Sequence, residues 1–166
     1  MKQILFAAAL TSTLCTMGLT QSTQTPEGPK QYVPILPTVR KQFWEIDPTV
    51  GYAEKGVGGG VYVISDNMWQ SAFLVTNDSV IVFDAPESFA AKIPSAIASV
   101  TSQPIKYLVY SHIHRDHIGG AVTLGNIKGL KIVALQGVSD FLKAQMDPNH
   151  PIPDEAFGRN RRLTAI

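Results

Sequence analysis

The decisive part of this sequence is the stretch SHIHRDHIGG, residues 111–120. It holds three of the four histidines of the chain together with one carboxylate. The apolar run before it, residues 105–110, predicts a strand that leads into a loop. Imidazole and carboxylate groups are donors that suit zinc, and they also suit iron and manganese. So dense a cluster would rarely find partners for its polar groups without a metal. The stretch therefore predicts a metal-binding loop.

The spacing within this loop suggests how its ligands are shared. Side chains alternate along an extended segment, so His112 and His114 would lie on one side and could hold the same ion. Asp116 and His117 follow after the chain has turned, so they would face a second position nearby. The glycine pair at 119–120 lets the backbone pass close to the site.

Length and composition indicate one ordinary globular domain. The chain has 166 residues, of which 45% are apolar and 16% charged, with a net charge of +1. So balanced a charge gives no reason to expect nucleic acid or an anionic lipid surface as a partner. Cys15 is the sole cysteine, so a mature chain that has lost its first residues would contain neither a disulfide nor a thiolate ligand.

Residues 1–22 have the pattern of a secretory signal peptide. Lys2 supplies a positive start, an apolar stretch follows, and small residues near its end permit cleavage. The stretch is too short and too rich in hydroxyl groups for a good membrane span, although an uncleaved anchor is the alternative. A lipoprotein is disfavoured because the bulky Leu14 precedes Cys15. We therefore expect an exported protein, periplasmic or extracellular, with no stable membrane span after signal removal.

The remainder divides into three parts. Residues 23–55 predict an extended proline-rich arm, since the prolines forbid regular helix there, with Phe43 and Trp44 packed on the body. Residues 56–146 form the main folded unit, entered through a glycine-rich turn at 56–60. Residues 147–166, which are polar and interrupted by prolines, predict an irregular tail.

Strands and helices alternate in the main unit, which indicates a layered α/β fold. The β-rich runs at 71–76 and 80–84 predict a hairpin whose turn, residues 77–79, contains Asn and Asp because these residues tolerate positive φ. The remaining predicted elements are strands at 61–64, 105–110 and 131–135, and helices at 88–100, 117–128 and 138–146.

Two of these patterns together resemble the metallo-β-lactamase superfamily. The loop at 111–120 is similar to the family signature His-x-His-x-Asp-His followed by glycine. The run Val80–Asp84 resembles its second marker, a hydrophobic strand that ends in Asp just before a helix. The resemblance covers residues 61 to 135 and implies the N-terminal half of an αββα sandwich.

The resemblance also implies a role for each matching residue. His112 and His114 would bind a first zinc ion, and Asp116 and His117 a second, with iron or manganese as alternative metals. Asp84 would hydrogen-bond into the ligand loop and orient it; the alternative is that it caps the following helix. Between two metals a hydroxide would form at neutral pH. Asp116 would also be catalytic, since it could orient that nucleophile and handle its proton.

The function implied is hydrolysis of a small-molecule substrate, an ester, lactone, thioester or lactam, by attack of the metal-bridged hydroxide on its carbonyl. One alternative is an iron-dependent oxidoreductase of the same fold, of the sulfur dioxygenase type. The other is a catalytically silent half-domain.

The chain departs from the family pattern beyond residue 135. Family members carry a further histidine, a bridging aspartate and a last histidine downstream, in a second half that covers the first. Here His150 is the remaining histidine, and its proline-rich surroundings favour a solvated loop residue over a ligand. We therefore expect a chain truncated after the N-terminal half, or a short protein that dimerises to cover its open face.

Overall fold

Residues 35–163 are described by the computed structural model, so the predicted signal peptide lies outside the described residues. Seven strands form one mixed sheet in which the order across the sheet follows the order along the chain. Strands β1 to β4 pair antiparallel, and β4 to β7 pair parallel. The strands are β1 Ala53–Gly58, β2 Val61–Ser65, β3 Gln70–Val75, β4 Val80–Phe83, β5 Ile105–Val109, β6 Lys131–Leu135 and β7 Glu155–Phe157.

The helical segments are short. The α-helices are α1 Pro37–Arg40, α2 Ile93–Val100, α3 Arg115–Ile118 and α4 Gln136–Gln145, and 3₁₀ helices cover Ala90–Lys92 and Ala121–Leu124. Pro94 lies in the first turn of α2, where a missing N–H breaks no helical hydrogen bond. Within residues 35–163, no helix combines the length and apolar character needed to cross a membrane.

One face of the sheet carries the hydrophobic core. Alternation along the strands places Phe73, Val82 and Leu108 on this face, and all three are fully buried. They pack with Ile93 and Ile97 from α2. The register confirms the arrangement, because Phe73 pairs with Val82 and Val82 with Leu108. The α/β class predicted from the sequence is confirmed.

The opposite face of the sheet is also apolar but less covered. Ile81 pairs with Leu74 on one side and Tyr107 on the other, and Phe83 on the same face is 39% exposed. Leu135 in β6 is 41% exposed. This is the face expected to pack on another layer, and the dimer that would supply such a layer stays a prediction.

The arm and the tail contain more regular structure than expected. The arm includes the short helix α1, which begins at Pro37 because proline is compatible with the first helical turn. The expectation of no helix there was wrong, and β1 also begins inside the arm. Trp44 is half-buried, and its backbone N–H donates to Asn67 Oδ1 (2.8 Å). Phe43, which was expected to pack on the body as well, is 36% exposed. In the tail, β7 pairs parallel with β6, so the prediction of an irregular segment was wrong there.

Two local predictions need correction. The hairpin turn forms, but not through positive φ at Asn77 or Asp78; it is closed by Thr76, whose N–H and Oγ1 both donate to the Ser79 carbonyl (2.8 Å each). The helix predicted at 117–128 is wrong in extent, because α3 ends at Ile118 and only a 3₁₀ helix follows. Val122, within the predicted helix, is 43% exposed.

Candidate metal centre

The loop at 111–120 is held where two neighbouring parallel strands end. Strands β4 and β5 are paired, so the residues that follow them meet at one edge of the sheet. Asp84 N–H donates to the Val109 carbonyl (2.9 Å), and Ala85 N–H donates to the His117 carbonyl (2.7 Å). The Gly120 N–H donates to the Ala85 carbonyl (2.8 Å). Backbone hydrogen bonds therefore fasten both ends of the loop to the segment after β4.

Asp84 is buried beneath the loop with a left-handed backbone, φ +63°. Asp tolerates this conformation better than most residues. Its Oδ1 accepts the Ser111 N–H (2.8 Å), and its Oδ2 accepts the Ser111 hydroxyl (2.6 Å). Oδ2 also lies 2.9 Å from His117 Nδ1. Both carboxylate oxygens are thus engaged within the protein, so this side chain orients the loop.

These hydrogen bonds assign the imidazole tautomers. His117 Nδ1 must carry a proton to donate to Asp84, which leaves Nε2 with its lone pair. His112 Nδ1 lies 2.8 Å from Ser111 Oγ. Because the Ser111 hydroxyl donates to Asp84, His112 Nδ1 is the donor in this contact, and its Nε2 is also free to coordinate. Fixing a ligand tautomer through a second hydrogen bond is typical of metal-binding histidines.

The structure brings the four predicted ligands together. The ring of His112 lies 4.6 Å from that of His114 and 4.2 Å from that of His117, measured between centroids. Asp116 Oδ2 is 3.7 Å from His117 Nε2. Donor atoms of Asp84, His112 and His117 all lie within 4.8 Å of one another. That group contains neither His114 nor Asp116, so what suits a divalent metal such as zinc is the type of the donors, imidazole nitrogen and carboxylate oxygen.

The two interpretations of Asp84 can now be compared. The helical segment that follows it starts at Ala90 and has no side-chain hydrogen bond at its N-cap, Phe89. The carboxylate instead bonds Ser111 and His117. Asp84 therefore hydrogen-bonds into the loop and does not cap the helical segment. Its support of a metal site, and metal binding by the four candidate ligands, stay predictions. Ser111, which sequence reasoning left without a role, connects Asp84 to His112; its hydroxyl beside the first histidine was the available signal.

His150 is not the solvated residue that was expected. Its side chain is only 16% exposed, and Nδ1 lies 2.9 Å from Asp147 Oδ2. Its Nε2 is buried and has no hydrogen-bond partner among residues 35–163. The group of neighbouring donor atoms formed by Asp84, His112 and His117 does not include His150, and its exclusion as a metal ligand stays a prediction.

Two depressions flank the loop. An open groove of about 540 Å³ is lined by Trp69, Glu87, Ser88, Arg115 and Asp116. A more enclosed cavity of about 300 Å³ is lined by Glu87, Arg115, Gly119, Gly120, Val122, Thr123, Asp147, Asn149 and His150. The ion pair between Arg115 and Glu87 borders both. Sequence reasoning missed this pair, because nothing local indicates a contact across 28 positions.

Tyr110 directly follows β5, the strand that leads into the loop, and anchors the segment after α4. Its hydroxyl donates to the Pro151 carbonyl (3.2 Å). Burial raises the pKa of this phenol far above its ordinary value, and the negative charges of Asp154 and Asp84 add to the effect. Tyr110 is therefore a neutral hydrogen-bond donor near neutral pH.

Comparison with known proteins agrees with this geometry. Residues 70–154, just over half of the chain, match the family model of the metallo-beta-lactamase superfamily. The chain belongs to that superfamily. A search of curated proteins finds no match.

Solved structures show the same fold. A metallo-beta-lactamase from Pontibacter korlensis is 16% identical with a TM-score of 0.57, over 69% of this chain and 56% of that one. The metallo-beta-lactamase from Hirschia baltica is 14% identical with a TM-score of 0.54, over 66% of this chain and 53% of that one. FIM-1 from Pseudomonas aeruginosa, solved in a mono-zinc form, is 17% identical with a TM-score of 0.52, over 64% of this chain and 50% of that one. The chain thus spans about half the length of these structures, as the predicted half of a metallo-β-lactamase sandwich would.

Proposed function

We propose that this chain contributes to an exported, metal-dependent hydrolase that cleaves an ester, lactone, thioester or lactam, with zinc as the metal. The observation that carries the proposal is the Asp84–Ser111–His112/His117 network. It leaves the Nε2 lone pairs of two neighbouring histidines free, which supports a role in coordination. Superfamily membership supports the same conclusion.

The residues have separate tasks in this proposal. His112, His114, Asp116 and His117 would hold the metal ions. A bound divalent metal supplies a Lewis acid and makes water more acidic. The Asp116 carboxylate, which is about one-third exposed (34%) beside the open groove, would accept a hydrogen bond from the attacking water and take up its proton. Trp69, 39% exposed, provides an apolar wall against which an acyl group could pack.

Metal analysis tests the proposal most directly. Protein purified without added metal should contain zinc in stoichiometric amount, and His112→Ala should lose it. His150→Ala is the matched control, because it removes an imidazole that is not one of the four proposed ligands, and it should retain the metal. Hydrolysis of a chromogenic ester, a thioester, a lactone and a cephalosporin should decrease in parallel with zinc content across the variants.

Two results would replace the proposal. Stoichiometric iron in the purified protein would favour the oxidoreductase alternative, since a histidine and carboxylate donor set also suits iron. Unchanged metal content and unchanged hydrolysis in His112→Ala would indicate a silent half-domain.

A further inference from the structure

Arg115 lies between two of the proposed ligands and makes a two-pronged contact. Its Nε donates to Glu87 Oε2 (2.7 Å), and its Nη2 donates to Glu87 Oε1 (2.8 Å). Both side chains are largely in solvent, 73% and 55% exposed. The guanidinium thus already presents the parallel donors that match a carboxylate, and Glu87 occupies them as an internal carboxylate.

The position of this pair makes Glu87 replaceable. An exposed ion pair adds little to stability, so an incoming carboxylate would compete on nearly equal terms. The enclosed cavity behind the pair is lined by Glu87 itself and by His150, so it offers room for the displaced side chain. The attraction of Asp147 for Arg115, which helps to raise the guanidinium pKa, would persist after Glu87 has moved.

The groove in front of the pair contains the proposed reaction site. Arg115 and Asp116 line it together, so a carboxylate on the guanidinium would lie next to a proposed metal ligand. Within the described residues, Arg115 is the one cationic side chain that lines this groove. A free acid group bound there would hold the rest of an acyl compound along the groove toward Trp69.

We propose that Arg115 recognises a carboxylate of the substrate, in competition with Glu87, and that the substrates are therefore acyl compounds with a free carboxylate. This inference rests on the proposed function for its catalytic meaning. The binding step itself needs only the guanidinium and its internal competitor.

The test is a titration with phenylacetate and with its neutral isostere phenylacetamide, followed through the indole ¹⁵N–¹H signal of Trp69, which lines the same groove and is present in every variant. It is done with zinc-loaded and with zinc-free protein, so that binding to metal is separated from binding to Arg115. Glu87→Gln should tighten phenylacetate binding by about twofold to fivefold, the range that an exposed ion pair accounts for. Arg115→Gln should weaken it by about tenfold or more.

Asp78→Asn is the matched control, since it removes the carboxylate of another exposed ion pair, that with Lys106, and should leave phenylacetate binding unchanged. The proposal is overturned if Arg115→Gln binds phenylacetate as well as the parent does, or if Glu87→Gln binds it no more tightly. Equal binding of phenylacetamide, or no binding of phenylacetate to parent and Glu87→Gln alike, would also overturn it.

Failure of this inference is distinguishable from failure of the proposed function. Arg115-dependent phenylacetate binding in a protein that takes up no zinc would keep the carboxylate site and reject the hydrolase. Stoichiometric zinc, together with phenylacetate binding that does not depend on Arg115, would reject the carboxylate site and leave the proposed hydrolase standing.

Discussion

His117 Nδ1 lies 2.9 Å from Asp84 Oδ2, and this contact joins a loop histidine to a buried carboxylate 33 positions earlier in the chain. Asp84 follows β4, and His117 lies in α3, beyond β5. The contact exists because β4 and β5 are adjacent parallel strands. It leaves Nε2 of His117 free, 3.7 Å from Asp116 Oδ2.

Asp84→Asn should weaken zinc binding by about 10-fold to 100-fold, the usual effect of removing the partner of a ligating histidine. Asn tolerates the left-handed backbone at this position, so the fold should persist. Competition with a chromophoric chelator measures the affinity. Asp78→Asn, on the surface, serves as control, and equal affinities in the two variants would show that Asp84 does not support the site.

Gly120→Ala should destabilise the protein by about 1–3 kcal/mol, the usual cost of overpacking. A Cβ there would lie 2.2 Å from the Ala90 Cβ and 2.9 Å from the Ala85 carbonyl oxygen. Urea unfolding measures the change. Gly137→Ala is the matched control: a Cβ at Gly137 meets nothing within 4 Å, so in α4 it should be neutral or stabilising by up to about 1 kcal/mol. Equal stability of the two variants would contradict the packing described for the loop.

The Glu87 carboxyl should titrate below its ordinary pKa of 4.5, chiefly because Arg115 donates hydrogen bonds to it. A depressed acid pKa means that the pair contributes its stability above the unfolded value, and that this contribution is lost as pH falls through the folded pKa. Arg115→Gln should return the pKa of Glu87 toward 4.5. The ¹³C shift of the carboxyl followed against pH measures both values, and identical titrations in parent and variant would disprove the contact.

Glu54→Gln should stabilise the protein near neutral pH. Burial raises the pKa of Glu54 above its ordinary 4.5, and Oε2 is buried with no hydrogen-bond partner among residues 35–163. A raised acid pKa means that the folded state loses stability as pH rises through that range. The gain from glutamine should therefore be present at about pH 7 and absent at about pH 4 in chemical unfolding. A gain that is independent of pH would exclude this explanation.

Much of the fold was readable from local patterns. The strands at 61–64, 71–75 and 131–135 appear where β-rich runs predicted them, since each carries its own apolar residues. Strand β7 was missed because Glu-Ala-Phe has little strand character alone, and it forms by pairing with β6. The prediction of a helix at 117–128 was wrong in extent because the Gly120 N–H donates to the Ala85 carbonyl, and the helix ends before this contact.

The sequence by itself determined the types of the candidate ligands, their spacing and the strand that precedes them, because these depend on residues adjacent in the chain. Only the tertiary structure decided which side chains support them. These supporting contacts arise at strand ends and turns. They are the contacts of Asp84 with Ser111 and His117, of Arg115 with Glu87, and of His150 with Asp147. Strand pairing brings distant segments to one edge of the sheet, and no local periodicity records which distant residues will meet there.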